Sequence, residues 1–162
     1  MASKNEIYAA IITRVRSLVQ EGETIEAKKV CAQLRAKGIQ TPELDGIEAW
    51  LLLRTLQKTQ ANLAEKPSEP SRWLRHFESL WALKREREAV EILLQGIVHH
   101  PQEVDFHRRV ISQYAAAGAF EQALEHCSAA LSIDPTVPDI LEKRADLAVS
   151  IQHTDAAEFI DE

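Results

Sequence analysis

The chain has 162 residues, enough for one domain with a buried core that needs neither metal nor disulfide to hold it. Apolar residues at 45% and charged residues at 27% exclude a disordered tail. A formal charge of −6 argues against a nucleic-acid binder, whose affinity comes from a basic face neutralising phosphates. Five Gly and six Pro punctuate a sequence rich in strong helix formers, and no long Val/Ile/Thr stretch alternates with period two, so the predicted class is all-α. The longest apolar runs, such as AWLLL at 49–53, are too short for a bilayer span, so no membrane partner is expected. After MASKNE comes a helical pattern carrying Arg14 and Arg16 rather than a signal peptide. With two cysteines and no export signal, the expected location is the reducing cytoplasm.

In chain order, the first expected element is a helical hairpin over about 4–38. GETIEAKKVCAQL at 22–34 echoes GAFEQALEHCSAA at 118–130: Gly, Ala five on, Cys four further, then a small or apolar residue three beyond. Gly38 closes this hairpin, while Thr41 and Pro42 open a helix in N-cap and first-turn roles. That helix, about 42–63, carries Leu44, Ile47, Trp50, Leu51, Leu53 and Leu56 with no partner in its own unit. It is expected to pack between the N-terminal hairpin and the C-terminal repeats. An apolar stripe left uncovered there would be an interface, so a homodimer through the N-terminal helices is the alternative. AEKPSEPS at 64–71 reads as a linker or bend. The expected layout is thus 1–63, a linker at 64–71, and a tandem array over 70–162.

The array rests on a 34-residue shift. It sets Leu80 under Tyr114, Ala89 under Ala123, Val90 under Leu124, Leu93 under Cys127 and Gly96 under Ala130. It also sets Ile97 under Leu131, Pro101 under Pro135, Trp73 under His107 and Phe77 under Ile111. Trp73, Phe77, Leu80 and Trp81 make one helical stripe, and Ala89, Leu93 and Ile97 another. Small residues at Ala89, Gly96, Ala123 and Ala130 are expected to let each second helix approach its first. Gly118 suits a positive-φ turn, and Pro101 and Pro135 end one unit and begin the next. A third unit starts at Pro138, with Thr136 and Asp139 at capping-box spacing, and is degraded: Arg144 stands where an apolar residue is usual. Leu141, Ala145, Ala148 and Ala157 keep the pattern, and DAAEFIDE is expected to stop inside a second helix. The last hairpin would then be a cap, or the chain a fragment of a longer protein.

Over 70–137 these residues resemble the tetratricopeptide-repeat family, whose unit runs W-x2-L-G-x2-Y, then A, an aromatic and P. Tyr114, Gly118, Phe120, Ala123, Ala130 and Pro135 meet that pattern in 104–137, and Trp73, Ala89, Gly96 and Pro101 meet it in 70–103. Degenerate units lie at 138–162 and about 4–41. The resemblance implies a right-handed superhelical stack of antiparallel helical hairpins. It also implies a concave groove, lined by the first helix of each unit, that grips a peptide or helix of another protein. Counting within each unit puts Ser71, Leu74, Glu78 and Trp81 on that face, then Asp105, Arg108, Ser112 and Ala115, then Asp139, Glu142, Asp146 and Val149. Leu74, Glu78, Trp81, Arg108, Ser112, Glu142 and Asp146 are the candidate groove residues. Trp81 is the candidate anchor, or else inter-hairpin packing. Family members that clamp acidic chaperone tails line this face with Lys, Arg and Asn; here only Arg108 would serve, so that activity is expected to be absent.

No chemistry competes with this reading. No glycine sits in a phosphate-cradling motif and no nucleophile motif surrounds a serine, so no enzyme and no cofactor are expected. His99, His100 and His107 could suggest a metal, but His107 stands at the Trp73 position and the other two end a helix, so no metal site is expected. Cys31 and Cys127, at equivalent hairpin positions, read as small buried hydrophobes. The mixed charges around Lys84, Arg85 and Arg87, and around Arg108 and Arg109, read as solvated helix surface. The function expected is a non-catalytic protein-interaction module. The alternatives are an N-terminal recruitment domain of a larger enzyme, such as a transferase, and a secretion-type cytoplasmic chaperone.

Overall fold

The computed structural model describes residues 4–158, with side chains described from 6 to 152. All its elements are helices: α1 Lys4–Gln20, α2 Thr24–Ala36, α3 Pro42–Glu65, α4 Pro70–Ala82, α5 Glu86–His99, α6 Val104–Ala116, α7 Phe120–Ile133 and α8 Pro138–Glu158. They form two compact units, Met1–Lys58 and Thr59–Glu162, and the division falls inside α3.

In the first unit, Ile12, Val15 and Leu18 of α1 meet Ala27, Cys31 and Leu34 of α2, with Ile39, Leu44 and Leu51 completing the core. Leu44, Ile47 and Leu51 lie on one stripe of α3, at helical spacing, and this is the face the hairpin covers. Trp50 and Leu53, on the other side, stay 38% and 50% exposed, and the Arg54 guanidinium lies 5.4 Å from the Trp50 ring centre. At the start of α3 the Leu44 amide donates to Thr41 Oγ1 at 3.2 Å, so Thr41 caps the helix that Pro42 opens. Arg35 near the end of α2 then donates to both oxygens of Glu48 through Nε, at 3.3 and 3.1 Å, and to Asp45 through Nη2. This fork ties the two helices together where the side chains are only partly exposed.

In the second unit each helix from α4 to α8 packs on the next. Two hairpins, α4–α5 and α6–α7, repeat one another residue for residue. Phe77, Leu80, Ala89 and Leu93 are buried in the first; Ile111, Ala123 and Cys127 share a core in the second, with Tyr114 packed against it. Both turns use one residue at positive φ, Lys84 (59°) and Gly118 (74°). The amide after it bonds back to the helix, from Arg85 to Leu80 at 3.1 Å and from Ala119 to Tyr114 at 2.9 Å. The turn of the α1–α2 hairpin is the same, with Gly22 at φ 85° and the Glu23 amide on the Leu18 carbonyl at 2.8 Å. The echo between 22–34 and 118–130 is therefore an echo of backbone geometry as well as of side chains.

Three details depart from the sequence expectations. The small residue Gly96 serves the next unit rather than its own hairpin. A Cβ there would sit 2.7 Å from Cε1 of the buried Phe106, so glycine lets α6 lie against α5. Leu44 and Ile140 follow Leu34 and Ala130 in the same relation, one pair in each of two hydrophobic clusters. Second, the capping box at Thr136 and Asp139 does not form. The Asp134 carboxylate accepts from the Thr136 amide (2.9 Å) and hydroxyl (2.6 Å), while Asp139 turns to Arg108. Third, α8 runs unbroken to Glu158 where the repeat pattern predicts a turn and a second helix. No Gly or Pro follows Pro138, and Gln152 stands where Lys84 and Gly118 turn. The Ala157 side chain, and the last residues of DAAEFIDE at 159–162, lie outside the described residues.

Candidate functional site

The first helices α4 and α6 leave a groove of about 530 Å3 between them, lined by Phe77, Glu78, Trp81, Ala82, Asp105, Arg108, Arg109, Ser112 and Gln113. Periodicity explains its make-up. On α4, Trp73, Phe77 and Leu80 are buried, so Glu78, Trp81 and Ala82 fall on the more open side, with the Phe77 ring beneath them. On α6, Phe106, Val110 and Ile111 are buried, leaving Asp105, Arg108, Arg109 and Ser112 to face outward. A smaller recess of about 240 Å3 continues toward α8, lined by Arg108, Ile111, Ser112, Asp139, Ile140 and Lys143.

The floor is aromatic. Trp81, half-buried, stacks on Phe77 with ring centres 6.0 Å apart and planes at 27°. Arg109 lies over the Phe77 ring at 5.4 Å and donates to Glu78 across the groove at 3.0 Å. Arg108 bridges the next gap, donating through Nε to Asp139 at 2.6 Å and through Nη1 to Asp105. That guanidinium holds the Asp139 carboxyl below its ordinary range. Two ion-pair rungs thus tie α4 to α6 and α6 to α8, each joining residues 31 apart.

Of the seven candidate groove residues, four are brought together here: Glu78, Trp81, Arg108 and Ser112. Leu74 is half-buried on α4 outside both recesses, and Glu142 and Asp146 are exposed on α8 beyond them. Phe77, Arg109 and Gln113 join the lining although the sequence pattern does not mark them. The pattern puts Phe77 in the hairpin interior and Arg109 on solvated surface. A 34-residue alignment cannot show that a long side chain reaches back to the preceding unit, though the 31-residue spacing of opposite charges is readable.

The three histidines that could suggest a metal have separate surroundings. His100 packs on Phe106 with ring centres 6.0 Å apart and donates through Nε2 to the Pro67 carbonyl at 2.9 Å, an oxygen that also accepts from Trp73 Nε1 at 2.8 Å. His99 lies against Trp73 at 4.9 Å. His107 meets His126, Nδ1 to Nδ1 at 3.1 Å, with the Tyr114 ring 5.6 Å from His126. One Nδ1 of that pair donates and the other accepts, so the accepting ring is neutral, and burial lowers the pKa of each. Among the described residues no three His, Cys, Asp or Glu side chains converge as metal ligands. Cys31 and Cys127 are buried, and burial raises the pKa of both thiols. No helix among the described residues is long and apolar enough to cross a membrane.

No family model matches the sequence, and no curated protein matches it. Solved structures do. The crystal structure of MamA protein aligns with 94% of this chain and 87% of its own at TM-score 0.56 and 11% identity. TTC0263, a thermophilic TPR protein of Thermus thermophilus, aligns over 91% of this chain and 84% of its own at TM-score 0.50 and 20% identity. Identities this low speak to fold alone. The chain has the all-α helical-repeat fold of tetratricopeptide-repeat proteins.

Proposed function

We propose that this is a non-catalytic interaction module that holds a peptide or helix of another protein in the groove between α4 and α6. The observation that carries this reading is the Phe77–Trp81 stack at the base of an open recess of about 530 Å3, bordered by paired charges rather than by a nucleophile and base. Half-buried aromatic side chains in such recesses supply most of the binding energy at many protein interfaces. Charged pairs at the border add selectivity more than affinity.

Affinity capture from the source cells tests it, with the wild type beside Trp81→Ala and Trp50→Ala. A partner kept by Trp50→Ala and lost from Trp81→Ala supports the groove. Equal capture by Trp81→Ala and the wild type, with both proteins folded, refutes it.

A further inference from the structure

The chemistry of the groove narrows what it can hold. Both arginines that line it are already engaged: Arg108 by Asp105 and Asp139, Arg109 by Glu78 and the Phe77 ring. A ligand carboxylate approaching either guanidinium would meet the acids already paired with it, and this like-charge repulsion disfavours acidic and C-terminal tails. The groups that remain open are of another kind. Ser112 and Gln113 line the recess with a hydroxyl and an amide that make no side-chain hydrogen bond among the described residues. Neutral donors and acceptors of that sort fit a peptide main chain. Beside them, the Trp81 ring offers an apolar surface.

The α8 side adds a bias in charge. Asp139, Glu142 and Asp146 fall at i, i+3 and i+7, so they form one stripe, and Asp139 marks its direction by reaching Arg108 on α6. Along the lining and this stripe, five carboxylates (Glu78, Asp105, Asp139, Glu142, Asp146) stand against three cations (Arg108, Arg109, Lys143). A ligand carrying positive charge at that end is favoured over one carrying negative charge.

We propose, building on the reading of the groove as a peptide site, that its occupant is an internal peptide segment with one bulky apolar side chain seated on Trp81. Lys or Arg beside that anchor lies along α8. Recognition is then by main chain, anchor and positive charge, with no part for a terminal carboxylate.

The test is selection from a displayed library of random internal peptide segments on the full chain. Enriched clones should carry Trp, Phe or Leu with Lys and Arg in excess of Asp and Glu. They should bind Ser112→Trp, an exposed position where a neutral ring fills the recess, at least about tenfold more weakly. Their basic bias should vanish on a Glu142→Lys, Asp146→Lys variant, whose two sites are exposed. Acidic clones that are lost on Ser112→Trp would leave the groove standing and overturn this ligand chemistry. Clones indifferent to both Ser112→Trp and Trp81→Ala would remove the groove itself. Failure to enrich any clone also overturns the proposal. So does self-association in sedimentation that Ser112→Trp abolishes, because a second copy would then occupy the site.

Discussion

Replacing Gly96 by alanine isolates the contact that stacks one repeat on the next. In an exposed helix this change stabilises by roughly 1 kcal/mol, since glycine leaves the backbone too free. At Gly96 the added methyl would sit 2.7 Å from Cε1 and 3.0 Å from Cδ1 and Cζ of Phe106, whose side chain is fully buried and cannot swing into solvent. Overpacking of this kind costs about 1–3 kcal/mol. Against the helix gain, Gly96→Ala should therefore be destabilising by about 1 kcal/mol. Gly46→Ala on α3, with nothing within 4 Å of its new methyl, is the control and should gain about 1 kcal/mol. Urea denaturation followed by far-UV circular dichroism reads both. The decisive comparison is a double-mutant cycle with Phe106→Leu: the smaller side chain should absorb the methyl and give a coupling of about 1 kcal/mol. A Gly96→Ala protein as stable as Gly46→Ala, or a cycle that sums to zero, would show that α6 is not held against α5 by this fit.

Lys84 sits at φ 59°, where a side chain costs about 1–2 kcal/mol, so Lys84→Gly should stabilise by up to about 1 kcal/mol after the entropic cost of glycine and raise the urea midpoint; an unchanged midpoint would contradict that. Trp73→Ala removes a ring that is 5% exposed and bonded to the Pro67 carbonyl, and should cost about 3–5 kcal/mol in the same denaturation assay. His107, His126 and His76 all have pKa values pushed below 6.5 in the folded chain, first by burial. The unfolded chain therefore takes up protons first: the stability they contribute is complete above about 6.5 and declines as pH falls through the folded values. Thermal melts from pH 8 down to 5 should show a steeper loss in wild type than in a His107→Phe, His126→Leu variant, and parallel curves would refute the assignment.

The second unit is legible in the sequence because its spacings are packing constraints. Ala89 and Ala123, or Leu93 and Cys127, can be matched by type because each pair occupies one shape in the fold. Where shape is met by a different residue, pattern fails. Lys84 holds the turn position of Gly118 with no glycine to announce it, and the pattern gives Gly96 the wrong neighbour because a small residue does not say which helix it admits. The groove is half legible. Trp81 and Arg108 follow from counting along the first helices. Arg109 and Phe77 do not, because whether a side chain turns inward or crosses to the next helix depends on reach and rotamer rather than on position.

The long helices α3 and α8 show why the array takes its form. A repeat unit needs a residue that tolerates positive φ about twelve positions after the one that seats against the previous unit, as Gly118 follows Phe106. Counting the same distance from Leu44 reaches Leu56, and from Ile140 reaches Gln152; neither helix breaks there. The C-terminal turns of α3 are nevertheless treated by α4 as a second helix. Thr59 Oγ1 lies 3.1 Å from His76 Nδ1 and donates to Ser79 at 3.2 Å, while the Asn62 carbonyl accepts from Arg72 at 2.7 Å. Pro67 then closes the segment 34 residues before Pro101, and its carbonyl accepts from both Trp73 and His100. The α4–α5 hairpin is thus stacked on helical turns that keep the period of a repeat without its turn. This is how a residue as short as Pro67 can anchor the large Trp73: the ring needs one acceptor at its indole nitrogen, and the repeat period delivers it.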